Sequence, residues 1–301
     1  MTTSKPNSAH RESMLSVALV QMNSGDSVER NVIDALAGID RAAAAGARLV
    51  VLPEVWTYLG ADEGIRDAAE PIPGPLTDQL AGRARQHGIY LHIGSIYERV
   101  EGEPRLFNTS VVYDPQGAEI ARYRKIHLFD VDLDAAAAYH ESATIAPGEE
   151  IVTFDLDGIS IGLAICYDLR FPELFRILAL RGADVIILPA AFTLATGKDH
   201  WEPLLRARAI ENSVYLIAPN QVGQHPPGLW CYGRSMVVDP WGLVTAQATD
   251  QPTVLTSQLD LDRVRQVRRQ VPSLSNRLPD RYAWPEIAVP VGPKRSRQRH
   301  R

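Results

Sequence analysis

Short runs of branched apolar residues alternate along this chain with longer stretches of helical spacing. Residues 15–21 (LSVALVQ) and 159–165 (ISIGLAI) are apolar nearly throughout, as in strands covered on both faces. Helical patterns follow over 28–45 and 172–182. Each ends near a Gly, a usual C-terminal stop. The segments AAAAGARLVVLPEVW and ALRGADVIILPAAF then place a short strand ahead of Leu-Pro. Further helices are predicted over 76–87 and 200–212, the second with Asp199 and Glu202 spaced as a capping box. Strands are predicted over 90–96 and 214–219. SVVYDPQGAEIARY (110–123) and SMVVDPWGLVTAQA (235–248) each read as strand, Asp-Pro-x-Gly turn, strand.

The same order of elements therefore occurs twice, which makes the chain an internal repeat of one α/β unit. Helices cover one face of each apolar sheet, and the other face must also be buried. Packing the two sheets together satisfies both, giving a four-layer αββα sandwich. We expect one domain over residues 14–284, with flexible tails at 1–13 and 285–301. The repeat also separates scaffold from function, because sites in α/β folds gather at strand C-termini. Gln21 in the first copy stands where Cys166 stands in the second, Glu54 stands opposite Ala190, and Lys125 opposite Asp250. A carboxylate, an amine and a thiol are thus unmatched at equivalent strand ends.

Composition narrows the classes of function. There are 31 basic and 36 acidic residues, a net charge of −5, without the basic excess of a nucleic-acid binder. The basic end PKRSRQRHR reads as a solvated tail. The polar start MTTSKPNSAHRES lacks the apolar core of a secretory signal, and no run reaches membrane-spanning length. We expect a cytoplasmic protein with free thiols and no nucleic-acid or membrane partner. Two cysteines, Cys166 and Cys231, are too few for a disulfide framework or a four-ligand zinc site. HESAT begins like a zinc-protease helix but carries Thr144 where the second histidine belongs. No metal or organic cofactor is expected.

The three unmatched groups suit acyl transfer. A thiol is a strong nucleophile, but with a reference pKa of about 8.5 it is mostly protonated near neutrality. Glu54 is the candidate base. Lys125 and the backbone N–H of Tyr167, just after the nucleophile, are candidate donors to a developing oxyanion. Each residue taken singly has a plainer reading: a small apolar filler, a loop carboxylate, a solvated lysine. Arg170, four residues past Cys166, can grip a carboxylate in a two-point fork. Alternatively it pairs with Asp168 or Glu173. Tyr58 and Phe192 are candidate pocket walls, or core packing. His127 is read as loop support, His200 and Trp201 as residues near the mouth, and Cys231, within HPPGLWCYG, as a bystander in a loop.

LPEVW, YRKIHLFD and AICYDLRFPEL, in that order, strongly resemble the nitrilase (carbon–nitrogen hydrolase) superfamily, over residues 17–282. The resemblance implies the αββα sandwich, with Glu54 as base, Lys125 as oxyanion stabiliser and Cys166 as nucleophile. It also implies a second carboxylate between Lys and Cys, a role that falls to Glu141 in YHESATIAPG. CYDLRFPEL, the segment TGKDHWEPLLRARAIENSVYLIAPNQVG, GRSMVVDPWG and VRRQVPSLSNRLPDRY resemble the amidase branch that contains omega-amidase and deaminated glutathione amidase. In omega-amidases the arginine matching Arg170 is thought to hold a distal carboxylate. The implied reaction is hydrolysis of a small ω-monoamide of a dicarboxylic or keto acid through a thioester. Hydrolysis of an N-carbamoyl amino acid or ureidopropionate, or a catalytically silent scaffold, are the alternatives. Relatives assemble as homodimers or larger, which implies packing through 172–182 and 200–212. Arg234 departs from the pattern, since such relatives usually carry His there.

Overall fold

The computed structural model of the protein describes residues 13–132 and 138–283. The expected tails, apart from Ser13, lie outside the described residues. Each half builds a sheet around three parallel strands. In the first these are Met14–Gln21, Leu49–Val51 and Tyr90–His92. In the second they are Ile159–Leu163, Val185–Ile187 and Tyr215–Ala218. An antiparallel strand extends each trio beyond its third member, Phe107–Tyr113 in one and Met236–Val238 in the other. Both predicted Asp-Pro-x-Gly hairpins form, closed by Gly117 N–H to Asp114 O and Gly242 N–H to Asp239 O. A further antiparallel strand flanks the first member of each trio. In the second sheet this is Thr153–Leu156, a local hairpin partner. In the first it is Thr253–Asp260, from the far end of the chain, paired in register with all eight residues of Met14–Gln21.

Side-chain alternation decides what each face meets. Leu15, Val17 and Leu19 join Leu49 and Val51 in a core shared with Ile161, Leu163, Ile187 and Ile217 of the other sheet. Their neighbours Ala18, Val20 and Val50 face the opposite way, onto Ala35, Ile39 and Leu80. Those residues lie on the buried faces of helices Val28–Ala44 and Pro75–His87. Helices Pro172–Leu180 and Leu194–Asn212 cover the second sheet through Leu174, Leu178, Leu205 and Ala209. The result is the four-layer αββα sandwich.

Two local predictions shift. The helix expected at 200 begins at Leu194, after Thr193. Asp199 and Glu202 therefore lie inside it and form no capping box. The first turn carries little apolar side chain and is held by Gly197, which donates to Thr193 O at 2.8 Å and packs on the Tyr232 ring. The strand expected over 90–96 is interrupted, because Gly94 sits at φ 66 between Tyr90–His92 and Ile96–Glu98. A Cβ at Gly94 would collide with the Pro53 carbonyl, so this glycine allows the segment that carries Glu54 to pass close by.

Candidate active site

Cys166 stands at the end of its strand because the parallel ladder continues past Leu163. Ala164 N–H reaches Ile187 O at 3.0 Å and Cys166 N–H reaches Pro189 O at 2.9 Å. The chain then turns sharply at Cys166, at φ 44, into the 3-10 turn Cys166–Arg170. A non-glycine residue held there stores about 1–3 kcal/mol of strain, which such sites retain when the turn aims a functional side chain. Glu54 follows Leu52-Pro53 at the matching strand end of the first half, and its successor Val55 sits at φ 40. Val55 N–H is anchored on Ser95 Oγ at 3.1 Å. Lys125 follows the strand Glu119–Arg124, with its N–H on Asn108 O at 2.9 Å. Glu141 opens the 3-10 turn Glu141–Ala143.

These four residues meet. Lys125 Nζ donates to Glu54 Oε1 at 2.9 Å and to both oxygens of Glu141, at 3.2 and 3.0 Å. Phe129 N–H donates to Glu141 Oε2 at 2.6 Å. Ala191 N–H, from the second half's Leu-Pro-Ala-Ala segment, donates to Glu54 Oε2 at 2.7 Å and also favours charge on the Cys166 sulfur. Burial opposes the charge on Lys125, but Glu141 and Glu54 outweigh it and hold the ammonium well above the ordinary lysine range. Burial, then the charge of Glu54, pushes the Cys166 thiol well above its ordinary value, against a smaller opposing pull from Lys125. The Cys166 thiol is therefore neutral at rest, next to a carboxylate that suits the role of proton acceptor.

Asp168 ties this turn to the lysine segment. Its buried carboxylate accepts from Ile165 N–H at 2.8 Å and Tyr123 OH at 2.7 Å through one oxygen. Through the other it accepts from His127 N–H at 3.1 Å and His127 Nδ1 at 2.7 Å. The His127 ring stacks on Phe171 at 3.6 Å, so His127 does support the loop.

The cluster forms the floor of a chamber of about 170 Å³ that opens into an outer chamber of about 1040 Å³. Tyr167 and Phe192 line the inner one, and Tyr97, Tyr139 and Asp62 line both. Burial pushes the Tyr97 phenol well up and the Tyr139 phenol up to about 12, with Asp62 and Glu141 adding to the latter. Both remain neutral donors at the throat.

Several predicted residues sit elsewhere. Tyr58 lies behind the lining, its hydroxyl on Ala61 O at 2.9 Å and its ring against Gly60 and Gly64. Arg170 is also outside the lining. Its guanidinium packs on the rings of Phe192 (5.3 Å) and Tyr167 (5.9 Å) and meets His200 Nδ1 at 3.3 Å. Among the described residues it forms no ion pair with Asp168 or Glu173, because the Asp168 oxygens are already occupied. Trp201 is buried against Phe192 and donates to Arg234 O at 2.9 Å. The Arg234 side chain turns outward to Asp250, at 2.8 Å. Cys231 is not in a loop: it belongs to the strand Leu229–Tyr232, paired with Val222–His225 across Pro226-Pro227.

Sequence reasoning missed Asn108, Tyr97 and the role of Asp168. Asn108 stands two residues ahead of the first quoted hairpin, opposite Gly233 in the repeat. Extending that comparison by two positions would have exposed it.

A thiol, two carboxylates and a buried ammonium meet at the strand ends of a duplicated αββα sandwich, an arrangement suited to carbon–nitrogen hydrolysis. The chain belongs to the carbon-nitrogen hydrolase family, whose model matches residues 16–269. It is 42% identical over 265 residues to a deaminated glutathione amidase of Synechocystis sp., covering 87% of this chain and 97% of that protein. It is 39% identical over 267 residues to the human omega-amidase NIT2, covering 89% and 96%. Among solved structures it resembles the C. elegans NitFhit protein with a TM-score of 0.85 at 36% identity, over 90% of this chain and 66% of that one. Among the described residues, no helix is long and apolar enough to cross a membrane.

Proposed function

We propose that the protein is an amidase that releases ammonia from the ω-amide of a small dicarboxylic or keto acid through a thioester on Cys166. One observation carries this reading: two carboxylates and an ammonium within hydrogen-bond reach of one another stand with the Cys166 thiol on the floor of the inner chamber. Glu54 takes the thiol proton as sulfur attacks the amide carbon. Lys125 and Tyr167 N–H receive the oxyanion. Tyr167 lies in the first turn of its 3-10 helix, where backbone donors have no helical partner. Glu54 passes the proton to the departing nitrogen, ammonia leaves, and a thioester remains. Glu54 then deprotonates a water that attacks the thioester; the acid leaves and the thiol is restored. Glu141 holds Lys125 oriented throughout. Arg170 lies outside the resting lining, and its guanidinium leaves the rings of Phe192 and Tyr167 to anchor the distal carboxylate; Phe192 walls the pocket.

A second reading keeps the chemistry and lengthens the substrate. The outer chamber, with Lys198 as the lysine or arginine in its described lining, has room for an extended acidic amide, and one relative is named for deaminated glutathione. Exposed Ile177, Leu180 and Ile210 on the two helices covering the second sheet support a homodimer or larger assembly. Buried free thiols support a reducing, cytoplasmic location.

The test is ammonia release from α-ketoglutaramate, succinamate, deaminated glutathione, a neutral aliphatic amide, an N-carbamoyl amino acid and a nitrile. Cys166→Ala and Arg170→Met are assayed alongside. Turnover confined to acidic amides, absent in Cys166→Ala, is expected. In Arg170→Met, KM should rise far more for acidic than for neutral amides. Turnover of carbamoyl or neutral substrates would overturn the substrate assignment, and wild-type turnover by Cys166→Ala would overturn the mechanism.

A further inference from the structure

We infer that Asn108 is a positioning residue that divides one amide group between the two glutamates of the site and thereby fixes which oxygen of Glu54 serves as the base. Its kinetic consequence rests on the amidase reading above; its effect on the thiol does not. Asn108 lies on the strand Phe107–Tyr113 and is 1% exposed. Its Nδ2 donates to Glu54 Oε1 at 2.9 Å and reaches Glu141 Oε1 at 3.4 Å. Its backbone carbonyl accepts Lys125 N–H. One residue thus touches three members of the cluster.

The amide can face only one way. Turned over, its carbonyl oxygen would meet two carboxylates. The orientation it does adopt leaves Oδ1 buried and without a partner. An unsatisfied buried acceptor costs about 1–3 kcal/mol, and an apolar side chain of similar volume would avoid that cost. Local packing therefore does not account for an asparagine here, and such violations concentrate at functional positions.

The chemistry supplies the reason. Lys125 has three N–H donors and contacts three carboxylate oxygens. When one N–H turns toward an oxyanion, one of those contacts opens. Asn108 keeps Oε1 of both glutamates engaged through that change without adding charge. Glu54 Oε2, which accepts only Ala191 N–H among the described contacts, is then the oxygen left to move the proton. A neutral donor on a carboxylate also favours its charged form, so removing the donor should raise the proton affinity of the base. The ionisable groups that act on Glu54 are Lys125, Cys166 and Glu141, with Tyr97, Tyr139 and Cys231 further out. The last three remain protonated near neutrality.

The test is the pH dependence of Cys166 alkylation by iodoacetamide, read by mass spectrometry in the wild type, Asn108→Leu and Asn108→Asp, with Cys166→Ala as the blank. Sulfur bonds to the methylene carbon, iodide leaves, and the thiol proton passes to Glu54, so no amide substrate is needed. The acid-side midpoint should rise by about half a unit or more in Asn108→Leu and further in Asn108→Asp, which adds a third carboxylate. Asn108→Leu relieves the orphaned Oδ1 but loses a donor to a charged acceptor, so its melting curve is recorded beside the alkylation midpoints as the folding control. Its kcat for the best amide should fall about 10–100-fold, with KM changed less than about threefold. Midpoints within about 0.2 unit of wild type would overturn the inference, whatever happens to turnover. If Asn108→Asp does not fold, Asn108→Leu decides alone. Absence of turnover on every amide would count against the proposed function and would leave the alkylation midpoints to judge Asn108.

Discussion

Asp168→Asn is the most informative single-atom change outside the reacting groups. The carboxylate is fully buried and accepts four hydrogen bonds, two at each oxygen. Asparagine keeps one accepting oxygen. Its NH2 group must face either Ile165 N–H and Tyr123 OH or the two His127 donors, and it can accept from neither pair. Two bonds to a charged acceptor are lost, each worth about 1.5–3 kcal/mol. Removing a buried charge offsets part of that loss, leaving a net cost of about 2–4 kcal/mol. At roughly 2–4 °C per kcal/mol, the unfolding midpoint should fall by about 4–16 °C. The bonds from Tyr123 and His127, at least one of which is lost, hold the Cys166 turn against the segment carrying Lys125. A displacement of about 1 Å between them should lower kcat about 100-fold. Thermal unfolding by circular dichroism reads the first effect and ammonia release reads the second. A variant that melts within about 2 °C of wild type and keeps its kcat would refute the view that Asp168 couples the nucleophile turn to the lysine.

Further outcomes follow from other parts of the structure. Burial pulls the His92 imidazole down to about 3, against about 6.5 in the unfolded chain. Between these values the unfolded state binds the extra proton, so this stability is complete above about pH 6.5 and is lost as pH falls, at up to about 1.4 kcal/mol per unit. Urea midpoints of His92→Asn should approach or pass those of the wild type between pH 6.5 and 4.5; parallel pH dependence would sink the assignment. Gly94→Ala should cost about 2–4 kcal/mol, from its left-handed φ and the collision with the Pro53 carbonyl. It should also depress kcat by shifting Glu54, and an unchanged melting curve would contradict the close approach. Arg234→Ala should leave kcat and KM within about twofold and stability within about 1 kcal/mol, because its guanidinium is spent on a half-exposed pair with Asp250. A large KM effect would place that side chain in the substrate path.

Much of the architecture was legible because it is written twice. The Leu-Pro strand ends and the two Asp-Pro-x-Gly hairpins recur in order, and their mismatches singled out Cys166, Glu54 and Lys125 before any spatial information. Glu141 carried no such mark and came only from the resemblance. What stayed hidden depends on groups brought together from distant segments. Asp168 read as a companion of Arg170 because Tyr123 and His127 reach it from the other half. Asn108 lay just outside the compared segments. Tyr58 and Arg170 were placed by proximity in sequence, whereas the packing of Gly60, Gly64 and Phe192 decides where they point. The early start of the helix at Leu194 comes from contact with Tyr232, which no periodicity in that turn announces.

The pairing of Thr253–Asp260 with Met14–Gln21 has a consequence for synthesis. A strand made at the start of translation receives its neighbour only when residue 253 and its successors have been added. At 5–20 residues per second, that interval is roughly 10–50 s. Throughout it, one side of an eight-residue apolar strand has open N–H and C=O groups, a template for pairing with another nascent chain. A chain terminated before residue 253 keeps that open edge permanently. Premature stop codons late in this gene should therefore yield insoluble protein rather than a shortened enzyme, even though every residue of the Glu54–Lys125–Glu141–Cys166 cluster has already been made.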